Sequence, residues 1–485
     1  MPQKITIDPV TRVEGHGKVT IHMDDSGHIE QARLHIVEFR GFEKFVQGRP
    51  YWEVPVLVQR LCGICPVSHH LAGAKAVDEI VGVKPGTGTE LTASAEKMRR
   101  LMHYGQMFQS HVLHFFYLCS PDLLFGVDGK VETRNVIGVA QAQPELAKKA
   151  IIMRKFGQEI IKATAGKKIH GISAVPGGIH KNLSPTERDY FLNGKDIPNI
   201  DTIIEWAAEG VEFFKDFHKK NQTWSDTFAA HDSSHMGMVN KDGGMDFYHG
   251  NLRVLSADGK LLLKDADYHN YLDFLGEEVR SWSYMKFPYL KQHGTLDGWY
   301  RVGPLARVNV CDYIPSKLAQ KELEIMRAYT HGKPNNMTMH YHWARLIEAL
   351  HAAEVMKDLL NDPDLQKTDL ITKSTKTGEG IGVIEAPRGT LLHHYRVGED
   401  DKVTMCNLIV STTHNNSAMN AAVTQAALDM MEGNTSITEG MMNGIEVAIR
   451  AYDPCLSCAT HALGQMPLEV TVLDDQSNVL DVRVR

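Results

Sequence analysis

Four cysteines stand out because they occur in two pairs, each with two residues between its members. The pairs are Cys62-Gly-Ile-Cys65 and Cys455-Leu-Ser-Cys458, and Cys65 and Cys455 are 390 positions apart in the chain. Each pair places two thiolates close together, so the two pairs can jointly enclose a soft metal ion. The chain between them must then act as the scaffold that brings the pairs together.

Structural zinc is the first alternative, because zinc is commonly held by four thiolates in a closed tetrahedron. Zinc knuckles usually draw both cysteine pairs from a short module, whereas these pairs lie near opposite ends of a long chain. The cysteines alone leave a structural zinc site and a catalytic metal centre both open.

The flanking residues favour the catalytic alternative. The first pair lies in Arg60-Leu-Cys62-Gly-Ile-Cys65-Pro-Val-Ser-His69 and the second in Asp453-Pro-Cys455-Leu-Ser-Cys458-Ala-Thr-His461. These segments resemble the two signature motifs of the large subunit of nickel-iron hydrogenases, R-x-C-G-x-C-x-x-x-H and D-P-C-x-x-C-x-x-H. The quinone-site subunit of respiratory complex I shares this ancestry but has lost the cysteines, so the four cysteines argue against it.

The resemblance implies a bimetallic site. Cys62 and Cys455 would be terminal ligands of nickel, and Cys65 and Cys458 would bridge nickel to an iron that carries carbon monoxide and cyanide. The implied reaction is heterolytic cleavage of dihydrogen, with a proton passing first to the sulfur of Cys455. His69 would hydrogen-bond a bridging thiolate.

Glu14 is the expected next proton acceptor. It lies in Asp8-Pro-Val-Thr-Arg-Val-Glu14-Gly-His16, where its type alone indicates a solvated or salt-bridged loop acid. The segment resembles the family's D-P-V-T-R-I-E-G-H, whose glutamate hydrogen-bonds a terminal nickel thiolate and passes protons. That role is carried to Glu14 by the resemblance.

A magnesium site is also implied. Phe39-Arg-Gly-Phe-Glu43 is similar to the family's R-G-x-E segment, and a carboxylate is a suitable hard ligand for magnesium. Without the resemblance, Glu43 would be taken for a surface acid. The backbone carbonyl of Leu408 and the side chain of His461 would complete the protein ligands.

Arg388 is expected to face the metals. Glu385-Ala-Pro387-Arg388-Gly resembles the family's E-A-P-R-G, whose arginine projects over the bimetallic site between acids that match Asp122 and Asp453. A fixed cation there could polarise bound dihydrogen or assist removal of a proton. Taken alone, a buried arginine indicates a structural ion pair.

The segment Leu408–Asn415 is similar to the family's V-P-T/S-T-W-N strand. It departs from that pattern because Ser411 stands where proline is common and His414 where tryptophan is common. Thr412 is the expected cyanide contact. The side chains expected around the diatomic ligands are those of Pro387, Arg388, Ser411 and Thr412.

The composition is that of an ordinary globular protein, with 485 residues, 43% hydrophobic residues and 23% charged residues. A net charge of -7 argues against nucleic acid and anionic membranes. The chain shows no signal-peptide pattern and no apolar run long enough to span a bilayer, which favours a cytoplasmic protein. Export on the signal of a partner stays open.

Hydrophobic periodicity predicts the α+β class: a mostly helical protein with a core bundle of long helices and small peripheral β sheets. Alternating Val19, Ile21 and Met23, followed by Ile29, Leu34 and Ile36, predict a β-hairpin. Strands and turns are expected over 246–270. Helices are expected at about 89–118, 144–165, 201–222, 314–330, 338–361 and 417–451, the last broken near Gly433.

Electrons must leave through partner chains. The remaining cysteines, Cys119, Cys311 and Cys406, are too scattered for an iron-sulfur cluster, and no G-x-G-x-x-G follows a strand. The segments Phe42–Trp52, Cys65–His70 and Arg388–Tyr395 look like those of the soluble NAD-reducing hydrogenases. This resemblance implies a small subunit with an iron-sulfur cluster and diaphorase subunits that bind flavin mononucleotide and NAD. Other cytoplasmic acceptors, namely NADP, a deazaflavin or a heterodisulfide, stay open.

The last 24 residues are expected to be a separate tail. Leu468, Val470 and Val472 alternate before a turn at Asp474–Asn478, and Leu480, Val482 and Val484 alternate after it, which predicts a β-hairpin. In the family, a maturation endopeptidase removes such a tail after nickel-insertion proteins have loaded the site. The expected organisation is a catalytic unit over 1–461 and a removable tail over 462–485.

Overall fold

The structure is a computed structural model that describes residues 3–194, 196–434, 436–460, 469–473 and 479–484. Long helices make up its body, and short sheets complete it. Among the described helices, none is long and apolar enough to cross a membrane.

The helices are α1 Phe42–Val46, α2 Val54–Leu57, α3 Pro66–Ile80, α4 Ala93–Leu113, α5 Ser120–Phe125, α6 Val136–Ala142, α7 Pro144–Ala165, α8 Pro185–Asp189, α9 Ile200–Lys220, α10 Gln222–Thr227, α11 Tyr271–Phe274, α12 Gly294–Asp297, α13 Pro304–Val310, α14 Lys317–Tyr329, α15 Tyr341–Asn361, α16 Ser411–His414, α17 Asn416–Met431 and α18 Glu439–Ala451.

The strands are β1 Gln3–Ile7, β2 Gly17–Met23, β3 Ile29–Ile36, β4 Ala174–Val175, β5 Gly178–Ile179, β6 Ser234–Val239, β7 Asn251–Leu255, β8 Leu261–Ala266, β9 Leu275–Glu278, β10 Phe287–Leu290, β11 Tyr300–Arg301, β12 Glu379–Ala386, β13 Gly389–Val397, β14 Val403–Ile409, β15 Glu469–Leu473 and β16 Val479–Val484.

The predicted helical body is confirmed. Helix α7 has the predicted bounds, and the predicted 417–451 helix is broken into α17 and α18. The predicted 89–118 helix begins at Ala93, where the Thr92 hydroxyl accepts a hydrogen bond from the Ala95 backbone N–H. It changes to a wider π-helical turn over His114–Cys119. Such turns are uncommon and often lie at functional sites.

Helices α4, α7, α9 and α15 pack together to form the core. Helix α15 is buried on almost every face, as expected for a helix that is surrounded by other elements. Helix α9 has one buried apolar face and an exposed polar face.

Small sheets flank this bundle, and their strands pair antiparallel except for β11, which pairs in parallel with β6. The predicted N-terminal hairpin is confirmed, with Val19 opposite Leu34 and Ile21 opposite Ala32. The predicted strands within 246–270 are β7 and β8. The sheet of β12, β13 and β14 lies inside the protein, because α3 packs against β12 and most residues of β12 and β13 are buried.

The predicted tail strands are β15 and β16, which pair antiparallel with Val470 opposite Arg483. The turn expected at 474–478 lies outside the described residues, as does His461.

A close crossing of α4 and α7 generates a stability prediction. A Cβ atom at Gly157 would lie 2.8 Å from the carbonyl oxygen of Gly105. The two helices would have to move apart to relieve this clash, because the neighbouring atom belongs to the backbone. Gly157→Ala should therefore lower the free energy of unfolding by about 1–3 kcal/mol, measured by thermal or denaturant unfolding. Gly210 in α9 is the matched control, because its Cβ would meet only side-chain atoms at 3.4 Å or more. Gly210→Ala should be neutral or stabilising, and equal destabilisation by both variants would contradict the argument.

Candidate metal centre

The first cysteine pair lies in the turn before α3. Backbone N–H groups of Ile64 and Cys65 donate to Sγ of Cys62 at 3.2 and 3.3 Å. Cys65 precedes α3, which begins with Pro66, a residue well suited to the first helical turn. The turn thus aims both sulfurs at the same space.

The second pair follows α18. The Cys455 N–H donates to the Thr412 hydroxyl at 3.0 Å, and the Leu456 N–H donates to the Glu14 carbonyl at 2.9 Å. Asp453 adopts a left-handed conformation with φ of 54°, which turns the chain between the helix and the cysteines. The N-terminal segment and the α16 residue Thr412 therefore hold the second pair in place.

The two pairs meet as the sequence predicts. Sγ of Cys62 lies 3.4 Å from Sγ of Cys455, and Sγ of Cys65 lies 3.9 Å from Sγ of Cys458. All four sulfurs lie within 4.8 Å of one another, and all four residues are buried. The sulfurs of Cys455 and Cys458 also lie in contact with each other, so the four sulfurs form one cluster.

Glu14 contacts this sulfur cluster. Its Oε2 lies 3.0 Å from Sγ of Cys455 and accepts a hydrogen bond from the Ser457 N–H at 3.2 Å. The Ser457 hydroxyl donates to Glu38 at 3.2 Å, and Glu38 also contacts His16 near the surface. A sulfur of the cluster is thereby connected to groups that reach solvent.

Arg388 lies beside the cluster and is paired with Asp453. Its Nε donates to the Asp453 carbonyl at 2.6 Å and its Nη2 to Oδ1 at 2.9 Å. Burial lowers the pKa of Arg388, but the charge of Asp453 and the nearby thiols outweigh burial and raise it. Nη1 of Arg388 and Oδ2 of Asp453 have no partner within the described part of the chain.

The expected contact between Asp122 and Arg388 was wrong. The Asp122 carboxylate accepts hydrogen bonds from Arg12 at 2.5 Å and from Arg450 at 3.0 Å. Asp122 lies in the first turn of α5, on the side where the N-terminal loop and α18 each supply a cation. Its charge is therefore used there, and among the described residues Asp453 carries the carboxylate contact to Arg388.

A small cavity borders the sulfurs. Its volume is about 10 Å³, about enough for one water-sized group. The predicted residues Pro387, Arg388, Ser411 and Thr412 all line it, together with His69. Thiols on one side, and on the other a guanidinium N–H without a partner among the described residues, fit a soft metal centre.

His69 faces the same cavity with a neutral ring. Burial lowers the pKa of His69 to about 3, and its Nδ1 lies 3.2 Å from Nε2 of His393. The expected hydrogen bond from His69 to a bridging thiolate stays a prediction.

Glu43 and Leu408, two of the expected magnesium ligands, lie next to each other. The Leu408 N–H donates to Oε1 of Glu43 at 2.9 Å, and burial raises the pKa of Glu43. The Thr460 carbonyl accepts from the Arg40 N–H at 3.0 Å. The chain just before His461 is thereby tied next to the helix that carries Glu43.

Sequence reasoning missed the arginines behind the site. Arg12, Arg307 and Arg450 all make buried or half-buried contacts to carboxylates. Arg307 follows Gly303-Pro304 by one helical turn, but nothing in that spacing identifies its partners, which come from distant segments.

Comparison with known proteins assigns the chain to a protein family. Residues 40–132 and 239–461 match the nickel-dependent hydrogenase family, and residues 4–39 match a family described as HoxL-like. The chain is 55% identical to the NAD-reducing hydrogenase HoxS subunit beta of Cupriavidus necator, over all of both chains. It belongs to the nickel-dependent hydrogenase family.

Another relative and a solved structure support the same family assignment. An F420-non-reducing hydrogenase of the vhu type from Methanococcus voltae is 46% identical over 89% of this chain and all of its own. The crystal structure of an NAD⁺-reducing [NiFe]-hydrogenase in the H2-reduced state matches with a TM-score of 0.91 and 53% identity, covering 95% of this chain and 99% of that one. The chain is thus one of the subunits of a nickel-iron hydrogenase, and nickel and iron are its metals.

The cysteine cluster generates a metal-content prediction. Cys65→Ser or Cys458→Ser should abolish nickel binding, because a serine oxygen is too hard to replace a thiolate beside a soft metal. Nickel per chain, measured by metal mass spectrometry, should fall to background in both variants. Cys311 is the control, since burial raises its pKa to about 12 and its thiol lies against the Val308 carbonyl. Cys311→Ser should keep its nickel, and normal nickel in Cys65→Ser would contradict the assignment.

Proposed function

We propose that this chain catalyses the reversible oxidation of dihydrogen to two protons and two electrons, and that the electrons pass through partner subunits to NAD. The observation that carries the proposal is the contact of Glu14 with Cys455 inside the four-cysteine cluster. When bound there, nickel and iron with carbon monoxide and cyanide supply the heterolytic cleavage. The residues of this chain hold the metals and move the proton.

Cys62 and Cys455 are proposed as terminal nickel ligands, and Cys65 and Cys458 as the bridging ones. The sulfur of Cys455 takes the first proton, and Glu14 receives it over the 3.0 Å contact. A carboxylate suits this step because it can accept and release a proton at little cost. Beyond Glu14, the Ser457 hydroxyl donates to Glu38, which contacts His16 on the side towards solvent.

Arg388 is proposed to act as a fixed cation over the cavity. Its two hydrogen bonds to Asp453 leave Nη1 free of partners among the described residues. That N–H group can stabilise negative charge that develops as dihydrogen is polarised. Pro387, Ser411 and Thr412 are proposed to surround the diatomic ligands, and His69 to hold a bridging thiolate.

Magnesium is proposed to bind Glu43, the Leu408 carbonyl and His461. The contact of Glu43 with the Leu408 backbone and the tie at Thr460 support this. A buried carboxylate whose pKa is raised by burial gains most from a cation placed next to it. The ion would join the β14 strand to the end of the second cysteine motif.

NAD is the proposed acceptor because two relatives are named for reducing it. A small subunit with an iron-sulfur cluster would receive the electrons, and diaphorase subunits with flavin mononucleotide would pass them on, in the cytoplasm. An acceptor other than NAD is the second candidate, because several relatives are named F420-non-reducing hydrogenases.

We further propose that residues 462–485 are a maturation tail. The family match ends at residue 461, and the solved relative covers 95% of this chain and almost all of itself. The unmatched fraction is about the length of the tail. Nickel-insertion proteins would load the site first, and an endopeptidase would then cut after His461.

An acceptor assay on the purified complex tests the function. Under dihydrogen, NAD should be reduced to NADH with release of one proton per turnover, and NADP and the deazaflavin F420 should be reduced far more slowly. Viologen, which takes electrons without a specific site, reports whether the metal centre is active. Viologen reduction without NAD reduction would contradict the acceptor, and loss of both in nickel-loaded complex would contradict the hydrogenase function.

Glu14→Gln tests the proton route. The amide keeps the shape of the side chain but cannot relay a proton. The rate at which the enzyme exchanges the atoms of dihydrogen with deuterium from heavy water should therefore fall by about 10²–10⁴-fold. Nickel content should stay normal. Glu30, an exposed acid of β3, gives the control variant Glu30→Gln, which should exchange like the wild type. Normal exchange in Glu14→Gln would mean that Glu14 is structural.

A further inference from the structure

A buried arginine behind the cavity contacts the backbone that presents Arg388. Arg307 lies on α13, and its Nη1 donates to the Ala386 carbonyl at 2.9 Å. Its Nη2 donates to the Pro387 carbonyl at 3.3 Å. These are the two peptide groups directly before Arg388, so one guanidinium fixes the turn from which that side chain projects.

Two carboxylates hold Arg307 in this position. Glu348 of α15 accepts from Nε and Nη2, both at 2.6 Å, and Glu385 accepts from Nη1 at 2.7 Å. All three side chains have 0% exposure. Burial raises the pKa of Glu348, but the charge and hydrogen bonds of Arg307 outweigh burial and lower it to about 2. The planar, two-point contact restricts the guanidinium to one orientation.

The same helix approaches the other side of the turn. A Cβ atom at Gly303 would lie 2.8 Å from the Arg388 carbonyl oxygen, so only glycine permits this approach. The Arg307 N–H donates to the Gly303 carbonyl at 2.9 Å. Gly303 and Arg307 therefore contact the backbone carbonyl groups of three successive residues, 386, 387 and 388.

We propose that Arg307 is a positioning residue, which holds the 386–388 turn and thereby sets the place of the Arg388 guanidinium at the sulfur cluster. Asp453 holds the guanidinium of Arg388 by two hydrogen bonds. Arg307 holds the backbone from which the Arg388 side chain extends. The inference rests on the role proposed above for Arg388. Arg307 itself touches neither substrate nor metal, and acts through Arg388.

A double-mutant cycle in the assembled, nickel-loaded complex tests this. Arg307→Lys keeps the charge but cannot make the forked contacts. It should lower the rate of isotope exchange between dihydrogen and heavy water, per bound nickel, by about tenfold to hundredfold. Arg388→Lys should lose at least as much. If Arg307 acts through Arg388, the double variant should be about as slow as Arg388→Lys alone.

Infrared bands of the iron-bound diatomic ligands give a second measurement. Both single variants should shift these bands in the same direction, because both move the same cation. Losses that multiply in the double variant, or unshifted bands in Arg307→Lys, would overturn the proposal. Full activity of Arg388→Lys would overturn the role of Arg388 itself, a result distinct from a failure of Arg307 alone.

Two further variants keep the test decisive. If Arg307→Lys does not assemble, Glu348→Gln enters the same cycle, because it removes one partner charge at nearly constant shape. Arg99 is the matched control, since it is equally buried, pairs with Asp78 and donates to the Gly178 carbonyl. Arg99→Lys should lower the melting temperature but leave exchange per nickel within about twofold of wild type. An equal loss of exchange in Arg99→Lys would mean that any buried arginine produces the effect, and would overturn the proposal.

Discussion

Two cations buried near the sulfur cluster, Arg388 and Arg307, are each paired with carboxylates, and much of the surrounding structure follows from this pairing. An isolated charge in a protein interior costs several kcal/mol, so it persists only with partners in good geometry. Arg388 is balanced by Asp453, and Arg307 by Glu348 and Glu385. These partners come from separate segments of the chain. The need to pair the charges therefore ties helix, strand and loop into one fixed arrangement.

The contact between Glu14 and Cys455 is the second tie. Backbone and side chain of one N-terminal residue meet the second cysteine motif, through the Leu456 N–H and through the sulfur itself. A close approach of Gly15 to Ser457, where any Cβ would lie 2.6 Å from the backbone nitrogen, brings the segments together. Proton acceptor and metal ligand are thus positioned by the same local packing.

Spacing and periodicity were enough to predict the helical body, the N-terminal hairpin and the meeting of the four cysteines. The helices and the hairpin follow from local hydrophobic periodicity, and the cysteine cluster follows from two motifs that each lie within a short segment. The partner of Asp122 was not predictable, because Arg12, Arg388 and Arg450 are all plausible cations until the backbone places them. The same holds for Arg307, whose partners lie 41 and 78 residues away.

The β-bridge between Glu14 and Cys455 joins one of the first segments of the chain to be synthesised to one of the last. A ribosome makes the chain from the amino end, so the Cys62 pair and the carboxylate at Glu14 emerge long before their counterparts exist. The core helices α4, α7, α9 and α15 all precede the second cysteine motif in the chain. The four-cysteine cluster can therefore be completed only after the second cysteine motif has been synthesised.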